Sequence, residues 1–327
     1  MIGAVALTAG EPAGIGPEQA LAAWARLREC QPYYLIADRG MVAGRHSPVK
    51  VVEIDHPSEA TGALKRGLPL IHLPFPVPVR PGEPNPENAG AVLESIRVAV
   101  EHARSGLASA ICTGPVNKRV LALGGEFDHP GQTELLASLC GAGRAVMMLV
   151  SPHLRVVPAT THIALADVPG SLDRELLIDV CETTLSSLVH DFGIRQPRLE
   201  ISGLNPHAGE SGLFGNQEQE IIGPAISELQ SRGHAVSGPS SADTMFHPEA
   251  RARYDAAVCM YHDQALVPFK TLDFFNGVNV TLGLPIVRTS PDHGPALDIA
   301  GTGTARSTSL EEAILLAGRL AGSRYGH

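Results

Sequence analysis

Three histidines stand where short β-rich runs give out. His162 follows RVVPATT, His207 follows RLEISGLNP and His262 follows DAAVCMY. Imidazoles held on separate strand ends grip a divalent transition metal and leave a coordination position open for substrate. Each histidine alone also reads as a hydrogen-bonded loop side chain; the matching placement of all three is what points to a metal. The segment CMYHDQALVPFK (259–270) leaves an apolar run straight into an imidazole, a carboxylate and an amide, with Lys270 close behind. It opens either a solvated loop or a site at a strand end, where α/β proteins place their chemistry. Lys270 precedes, and Arg288 lies near the end of, the nearly apolar stretch VNVTLGLPIVRTS. Two such cations suit a phosphate or carboxylate. Asn279 inside that stretch needs partners, which a ligand or a structural hydrogen bond would supply. His46, His56, His102, His190, His234 and His327 lie in helical or loop contexts and read as solvated.

The glycine-rich segments exclude two familiar nucleotide sites. GEPAGIGPE spaces its glycines as G-x-x-x-G-x-G (Gly10, Gly14, Gly16), not G-x-G-x-x-G, and Asp38 is a weak ribose partner. The segment reads as a tight strand-to-helix turn requiring positive φ. TGPVNK lacks the Walker spacing, and its Lys118 is either an anion contact or a solvated lysine.

The elements that must position these residues alternate. Candidate strands are AVALTAG, YYLIAD, KVVEID, LPLIHL, SAICTG, RAVMMLV, RVVPATT, RLEISGL, DAAVCMY and VNVTLG. Helical patterns lie between them. PEQALAAWARLRE has Pro17 in its first turn. NPENAGAVLESIRVAVEHARSG ends at Gly106. SLDRELLIDVCETTLSSLVHDFG has Ser171 as N-cap and Gly193 as stop. Such alternation implies a largely parallel sheet covered on both faces. Polar segments rich in Gly, Pro, His and Asn recur after the strands: TAGEPAGIGPE, TGPVNK, HPGQTE, TTHIAL, GLNPHAGESG, YHDQALVPFK and RTSPDHGPALDIAGTG. They read as loops converging at the carboxyl ends of strands.

A length of 327 residues favours two lobes. Hydrophobic content of 44% with 18% charged residues describes a globular protein, not a disordered one. A net charge of -9 without any Lys/Arg run argues against a nucleic-acid partner. Five scattered cysteines without CxxC read as small buried hydrophobes in a reducing compartment. No signal peptide or membrane-length apolar stretch is present, so the expected location is the cytoplasm.

At GLNPHAGESG, YHDQALVPFK and GVNVTLGLPIVRTSPDHGPALDIAGTG the chain resembles the 4-hydroxythreonine-4-phosphate dehydrogenase family of pyridoxal phosphate biosynthesis. The likeness extends from TAGEPAGIGPE through TGPVNK, MMLV and SSADTMFHPEAR to the AGTG loop. It implies a two-lobed α/β/α sandwich resembling isocitrate and isopropylmalate dehydrogenases, with a cleft between lobes, in a homodimer. The expected lobes are 1–125 with 278–327, holding the NAD loop at 288–303, and 126–277, carrying the metal ligands and dimer contacts. The resemblance implies metal ligation by His162, His207 and His262 in a site shared across the dimer interface. It implies substrate contacts at Gln132, Thr133, Lys270, Asn279 and Arg288, and coenzyme contacts at His293, Gly294, Asp298 and Gly301. The implied cofactors are NAD or NADP and a divalent cation (zinc, magnesium or cobalt).

The implied reaction is oxidation of 4-phosphooxy-L-threonine followed by decarboxylation to 3-amino-2-oxopropyl phosphate. The family commonly reads GHTE where this chain has GQTE, so Gln132 replaces a histidine and removes a possible positive charge. That departure opens an alternative: a relative oxidising a threonate or erythronate 4-phosphate, or an aromatic cis-dihydrodiol. The proton-accepting base is not identifiable; Asp243, Asp263 and Asp292 are candidates by type alone. Two further classes remain, a metal-holding binding protein and a metallohydrolase. The HGPALDIAGTG segment counts against the first, and NAD dependence separates the second.

Overall fold

The structure, a computed structural model, describes residues 3–43, 47–125, 127–129 and 131–326. His46 and His327 lie outside these residues. The strands are β1 (Val5–Thr8), β2 (Tyr33–Ala37), β3 (Val51–Glu53), β4 (Leu68–His72), β5 (Ala110–Cys112), β6 (Val146–Val150), β7 (Arg155–Thr160), β8 (Arg198–Ser202), β9 (Ala235–Ser240), β10 (Ala256–Tyr261), β11 (Val278–Leu282) and β12 (Arg288–Pro291). All ten expected strands form. The two additional ones, β9 and β12, carry no apolar run, since Gly238 and Pro239 interrupt the first and the second reads RTSP. The chain divides into residues 1–145 with 284–327 and residues 146–283, so the observed boundaries fall later than the expected 125 and 277.

In the first unit the strand order is β3-β4-β2-β1-β5-β12, and every pairing is parallel. Strands covered on both faces tolerate few polar residues, and every residue of β1 and β2 is buried. The chain builds outward from β1 to β2, then returns to place β5 on the other side of β1. That reversal puts the carboxyl ends of β1 and β5 at a switch point, where open α/β sheets bind ligands. The helix Gly16–Leu27 starts with Pro17 in its first turn and buries Ala20, Leu21, Ala23 and Leu27. The helix Ala89–Arg104 buries Val92, Leu93, Ile96, Ala99 and Val100, and Gly106 follows it at φ +77°.

In the second unit the order is β11-β6-β7-β10-β8-β9. β6 is antiparallel to both β11 and β7, whereas β7, β10, β8 and β9 run parallel. The helix Arg174–His190 is capped by Asp173, whose Oδ1 accepts from Leu176 N at 2.7 Å. Ser171 is therefore not the cap; it closes the preceding turn Val168–Ser171 and donates to the Asp167 carbonyl.

Three other expectations change. YHDQALVPFK is not a loop: His262–Leu272 is a helix that buries Gln264, Ala265 and Phe269, with Pro268 inside. Spacings of three to five residues outweighed its polar start. His102 is not solvated, since its Nδ1 lies 2.9 Å from the buried Tyr34 hydroxyl and burial lowers its pKa. Cys30 is exposed, while Cys112, Cys140, Cys181 and Cys259 are buried; burial pushes the thiols of Cys112, Cys181 and Cys259 up to about 12. No described helix is long and apolar enough to cross a membrane.

The glycine-rich turn is required at two levels. Gly10 has φ +64°, and a Cβ there would lie 2.7 Å from the Gly114 carbonyl carbon. Gly14 lacks positive φ, but its Cβ would lie 2.6 Å from the Pro295 carbonyl oxygen. Gly10→Ala should therefore lower unfolding free energy by about 2 kcal/mol or more, from the left-handed backbone plus the clash. Urea denaturation at neutral pH checks this; a loss under about 0.5 kcal/mol would contradict the close approach.

Candidate active site

β7, β10 and β8 are adjacent and parallel, so their carboxyl ends share one edge of the second unit's sheet. His162 stands two residues beyond β7, and His262 is the first residue after β10. Their rings lie 5.8 Å apart between centroids, with planes tilted 40°. His262 Nδ1 is 2.8 Å from Asp263 Oδ1. A carboxylate on one ring nitrogen fixes the tautomer and leaves the other nitrogen as a donor to a metal, the arrangement usual for ligating histidines. The ends of β8 and β10 are tied together by Gln264. Its Oε1 accepts from Met260 N at 2.7 Å and Ser202 Oγ at 2.9 Å, and its Nε2 donates to the Gly203 carbonyl at 2.8 Å.

His207 lies beyond β8 in a different environment. Its ring is 6.2 Å from that of Phe214, and no described group of three or more His, Cys, Asp or Glu side chains is gathered closely enough to hold a metal. One chain therefore brings together two of the three expected ligands. His162 and His207 nevertheless share a rare backbone state, φ +56° and +53°. Outside glycine that conformation is strained and concentrates at functional sites. The donor chemistry of the His162–His262 pair fits a divalent transition metal.

The remaining candidates in this unit are distributed along two elements. Lys270 is in the last turn of the helix beginning at His262, with Nζ 5.1 Å from the centroid of the Phe274 ring. Asn279 is on β11, paired with Leu149, and its buried Oδ1 has no hydrogen-bond partner. An orphaned buried acceptor costs free energy unless a ligand donates to it. Of the acids considered as bases, Asp263 is engaged with His262, and Asp243 Oδ1 accepts from Ser241 Oγ at 2.5 Å.

The first unit holds a second constellation. Arg288 opens β12 and is only 2% exposed. Its Nη2 donates to Thr113 Oγ1 at 2.6 Å and to Gln132 Oε1 at 3.0 Å, and its Nε to Thr113 Oγ1 at 3.1 Å. Gln132 Nε2 donates in turn to the Gly114 carbonyl at 3.2 Å. Gln132 and Thr133 open the helix Gln132–Cys140, so HPGQTE runs into a helix start. The Thr113 and Gln132 acceptors are neutral, and burial lowers the guanidinium's pKa from its ordinary value to about 10. It remains charged at neutral pH.

The expected coenzyme loop lies against the first turn of the helix Gly16–Leu27. Ile15 N donates to the Pro295 carbonyl, Gly301 N donates to Glu18 Oε2 at 2.9 Å, and Gln19 Nε2 lies 3.1 Å from His293 Nε2. His293 and the Gly301 amide thus pin the loop, while Gly294 and Asp298 are exposed. Glu18 Oε1 and Gln19 Oε1 are buried without hydrogen-bond partners. A cavity of about 540 Å³ is bounded by residues 116–119 and 295–298. The two unpartnered acceptors lie on the helix behind the loop, and neither lines this opening. Asp38 has no such role: its carboxylate accepts from the Gly40 and Phe75 amides.

Comparison with known proteins decides the family. The model of the pyridoxal phosphate biosynthetic protein PdxA matches residues 28–317. The chain belongs to that family. It is 50% identical over 322 residues to the 4-hydroxythreonine-4-phosphate dehydrogenase of a Ruegeria species, covering 98% of this chain and 97% of that one. The crystal structure of 4-hydroxythreonine-4-phosphate dehydrogenase from Klebsiella pneumoniae superposes with a TM-score of 0.88 at 37% identity, covering 98% of each chain. A terephthalate 1,2-cis-dihydrodiol dehydrogenase from Burkholderia xenovorans is more distant, at TM-score 0.65 and 28% identity over 97% of this chain and 98% of that one. The chain is accordingly an oxidoreductase, and the binding-protein and hydrolase readings fall away.

Two residues that hold this machinery carried no sequence signal of their own. Gln264 was one polar residue among several, and Glu218 lies in a helical run, EQEII, with nothing to mark its burial.

The Arg288 arrangement has a stability consequence with a definite sign. Above about pH 10 the native chain releases a proton that the unfolded chain still binds, so this group's contribution rises with pH there. At neutral pH the buried charge costs the fold on the order of 3 kcal/mol. Arg288→Met should therefore leave Tm at pH 7 unchanged or higher, while abolishing any rise in Tm on adding inorganic phosphate. Scanning calorimetry with and without phosphate checks both; a sharply lower Tm would mean that the guanidinium is a net structural support.

Proposed function

We propose that the protein oxidises 4-phosphooxy-L-threonine with NAD or NADP, and that the resulting 3-oxo acid loses carbon dioxide to give 3-amino-2-oxopropyl phosphate. The observation that carries this reading is the placement of three histidines beyond three adjacent parallel strands, two at strained positive φ, in a chain of this family. His162, His207 and His262 would hold a divalent cation, zinc, magnesium or cobalt. When bound, that cation supplies Lewis acidity at the secondary hydroxyl, and the nicotinamide supplies the hydride acceptor.

The chain's own residues do the rest. Asp263 fixes the orientation of His262. Arg288 and Lys270 neutralise the substrate's anionic groups, Arg288 from a dry, preorganised position. Asn279 Oδ1 accepts a hydrogen bond from the substrate, which satisfies its orphaned lone pairs. Thr133 and Gln132 line the same anion contact. Gly294 and Asp298, exposed on the 291–303 loop, meet the coenzyme, and His293 and Gly301 hold that loop to the helix behind it.

The working form is a homodimer with shared metal sites. Large apolar side chains are exposed in each segment that follows a candidate ligand: Ile163 and Leu165 after His162, Leu213 and Phe214 after His207, and Val267, Leu272, Phe274 and Phe275 after His262. Exposed apolar side chains concentrated in these segments mark an association surface. A second copy seated there would cover them and complete ligation that a single chain leaves at two histidines.

Gln132 favours a second reading, in which the substrate is a threonate or erythronate 4-phosphate or an aromatic cis-dihydrodiol. Reduced-nicotinamide absorbance in the presence of divalent metal, with each compound in turn, separates the two. Preference for phosphooxythreonine by at least about tenfold in kcat/KM supports the main reading; preference for another compound overturns it while keeping the chemistry. Phe274→Asp should convert dimer to monomer in light-scattering chromatography and remove most turnover. A fully active monomer would sink the shared site.

A further inference from the structure

His207 sits in a turn of unusual hand. From His207 to Ser211 the φ/ψ pairs are (53°, 30°), (52°, 43°), (78°, -9°), (41°, 60°) and (58°, 28°), and Gly212 continues at φ +96°. This is a left-handed helical turn containing four non-glycine residues. For L-residues that hand is unfavourable at every position, and it persists only where surrounding structure over-determines it.

The surrounding structure here converges on one side chain. Glu218 is 5% exposed. Its Oε1 accepts from Leu204 N and Asn205 N, both at 2.8 Å, and its Oε2 accepts from Asn205 Nδ2 at 3.0 Å. The carboxylate thus collects the chain at the turn's entrance. It also passes directly beneath the turn: a Cβ at Gly209 would lie 2.6 Å from Glu218 Oε2, and one at Gly203 would lie 3.1 Å from Oε1. Glu218 itself begins a π-helical turn, Glu218–Ile222, a second rare conformation. Two costly backbone segments therefore meet at one buried carboxylate.

We propose that Glu218 is a positioning residue that locks this left-handed turn and so presents His207 for ligation. The proposal rests on His207 being a ligand. The test measures Co2+ binding to metal-stripped full-length protein by visible absorption, together with deuterium uptake of the 204–215 segment. Glu218→Gln keeps the shape but replaces one acceptor oxygen with a donor. It should weaken Co2+ affinity about 10- to 100-fold and raise deuterium uptake in the turn. In a His207→Ala background the same substitution should change Co2+ affinity less than about twofold. Ala208→Gly, which removes a left-handed penalty, should restore part of the affinity lost in Glu218→Gln.

Wild-type affinity in Glu218→Gln overturns the proposal, as does an equal further loss in the His207→Ala background. If Glu218→Gln does not fold, Gly209→Ala tests the same contact from the other side and should give the same Co2+ and exchange phenotype. If His207→Ala alone binds Co2+ as wild type does, the ligand assignment fails. The exchange data then still report whether Glu218 holds the turn.

Discussion

The candidate site depends on one constraint: β7, β10 and β8 run in the same direction, side by side. Neighbouring strands in a sheet are about 4.8 Å apart, so parallel strands bring their exits within reach of one another. His162 and His262 accordingly face each other at 5.8 Å without any side chain having to extend far. Had β10 run antiparallel to its neighbours, His262 would leave from the opposite edge. β10 is buried along five of its six residues, and parallel pairing with β7 and β8 fixes its register on both sides. Gln264 then converts proximity into geometry by bonding the exits of β8 and β10 to one amide.

Much of this was legible in the sequence. Runs such as VALT and AAVCMY are buried on both faces and read directly as central strands. The histidines were found because each follows such a run. What stayed hidden followed from tertiary context. The helix at His262–Leu272 buries Gln264 beside Ala265 and Phe269, and a pattern that counts glutamine as polar sees a loop there. The left-handed turn at 207–211 could not be read from PHAGESG, because only Gly209 among its residues announces positive φ. The cap at Asp173 lay two residues from Ser171, and both types cap helices equally well. Placement after strands picked out all three histidines, and the family resemblance added the expectation of a partner subunit.

Both units accept local cost where the candidate residues lie. The first unit buries a guanidinium that donates to the neutral Thr113 and Gln132, and the second holds two histidines in the left-handed region. Neither is explained by stability, because an apolar residue at Arg288 or a glycine at His162 would relieve it. The cost is carried by apolar packing elsewhere. Ile36, Leu93, Ile96, Ile111 and Leu136 form part of the first core, and Val156, Ala257, Cys259 and Phe269 part of the second. That separation is what a functional site looks like in energetic terms: polar strain at the strand exits, continuous burial behind them.

Gln132 shows how a departure from the family pattern can be absorbed. Its Oε1 accepts from Arg288 and from Thr113, and its Nε2 donates to the Gly114 carbonyl, so the amide's two ends are each matched to the polarity they face. A histidine offers one acceptor at most, and only when neutral. Once protonated, it would set a second cation beside a guanidinium that burial already disfavours. Glutamine, which does not titrate, removes that conflict. That leaves the buried Arg288 guanidinium, charged at neutral pH, as the cation of this group. Hydrogen bonding by the Gln132 side chain therefore does not change with pH.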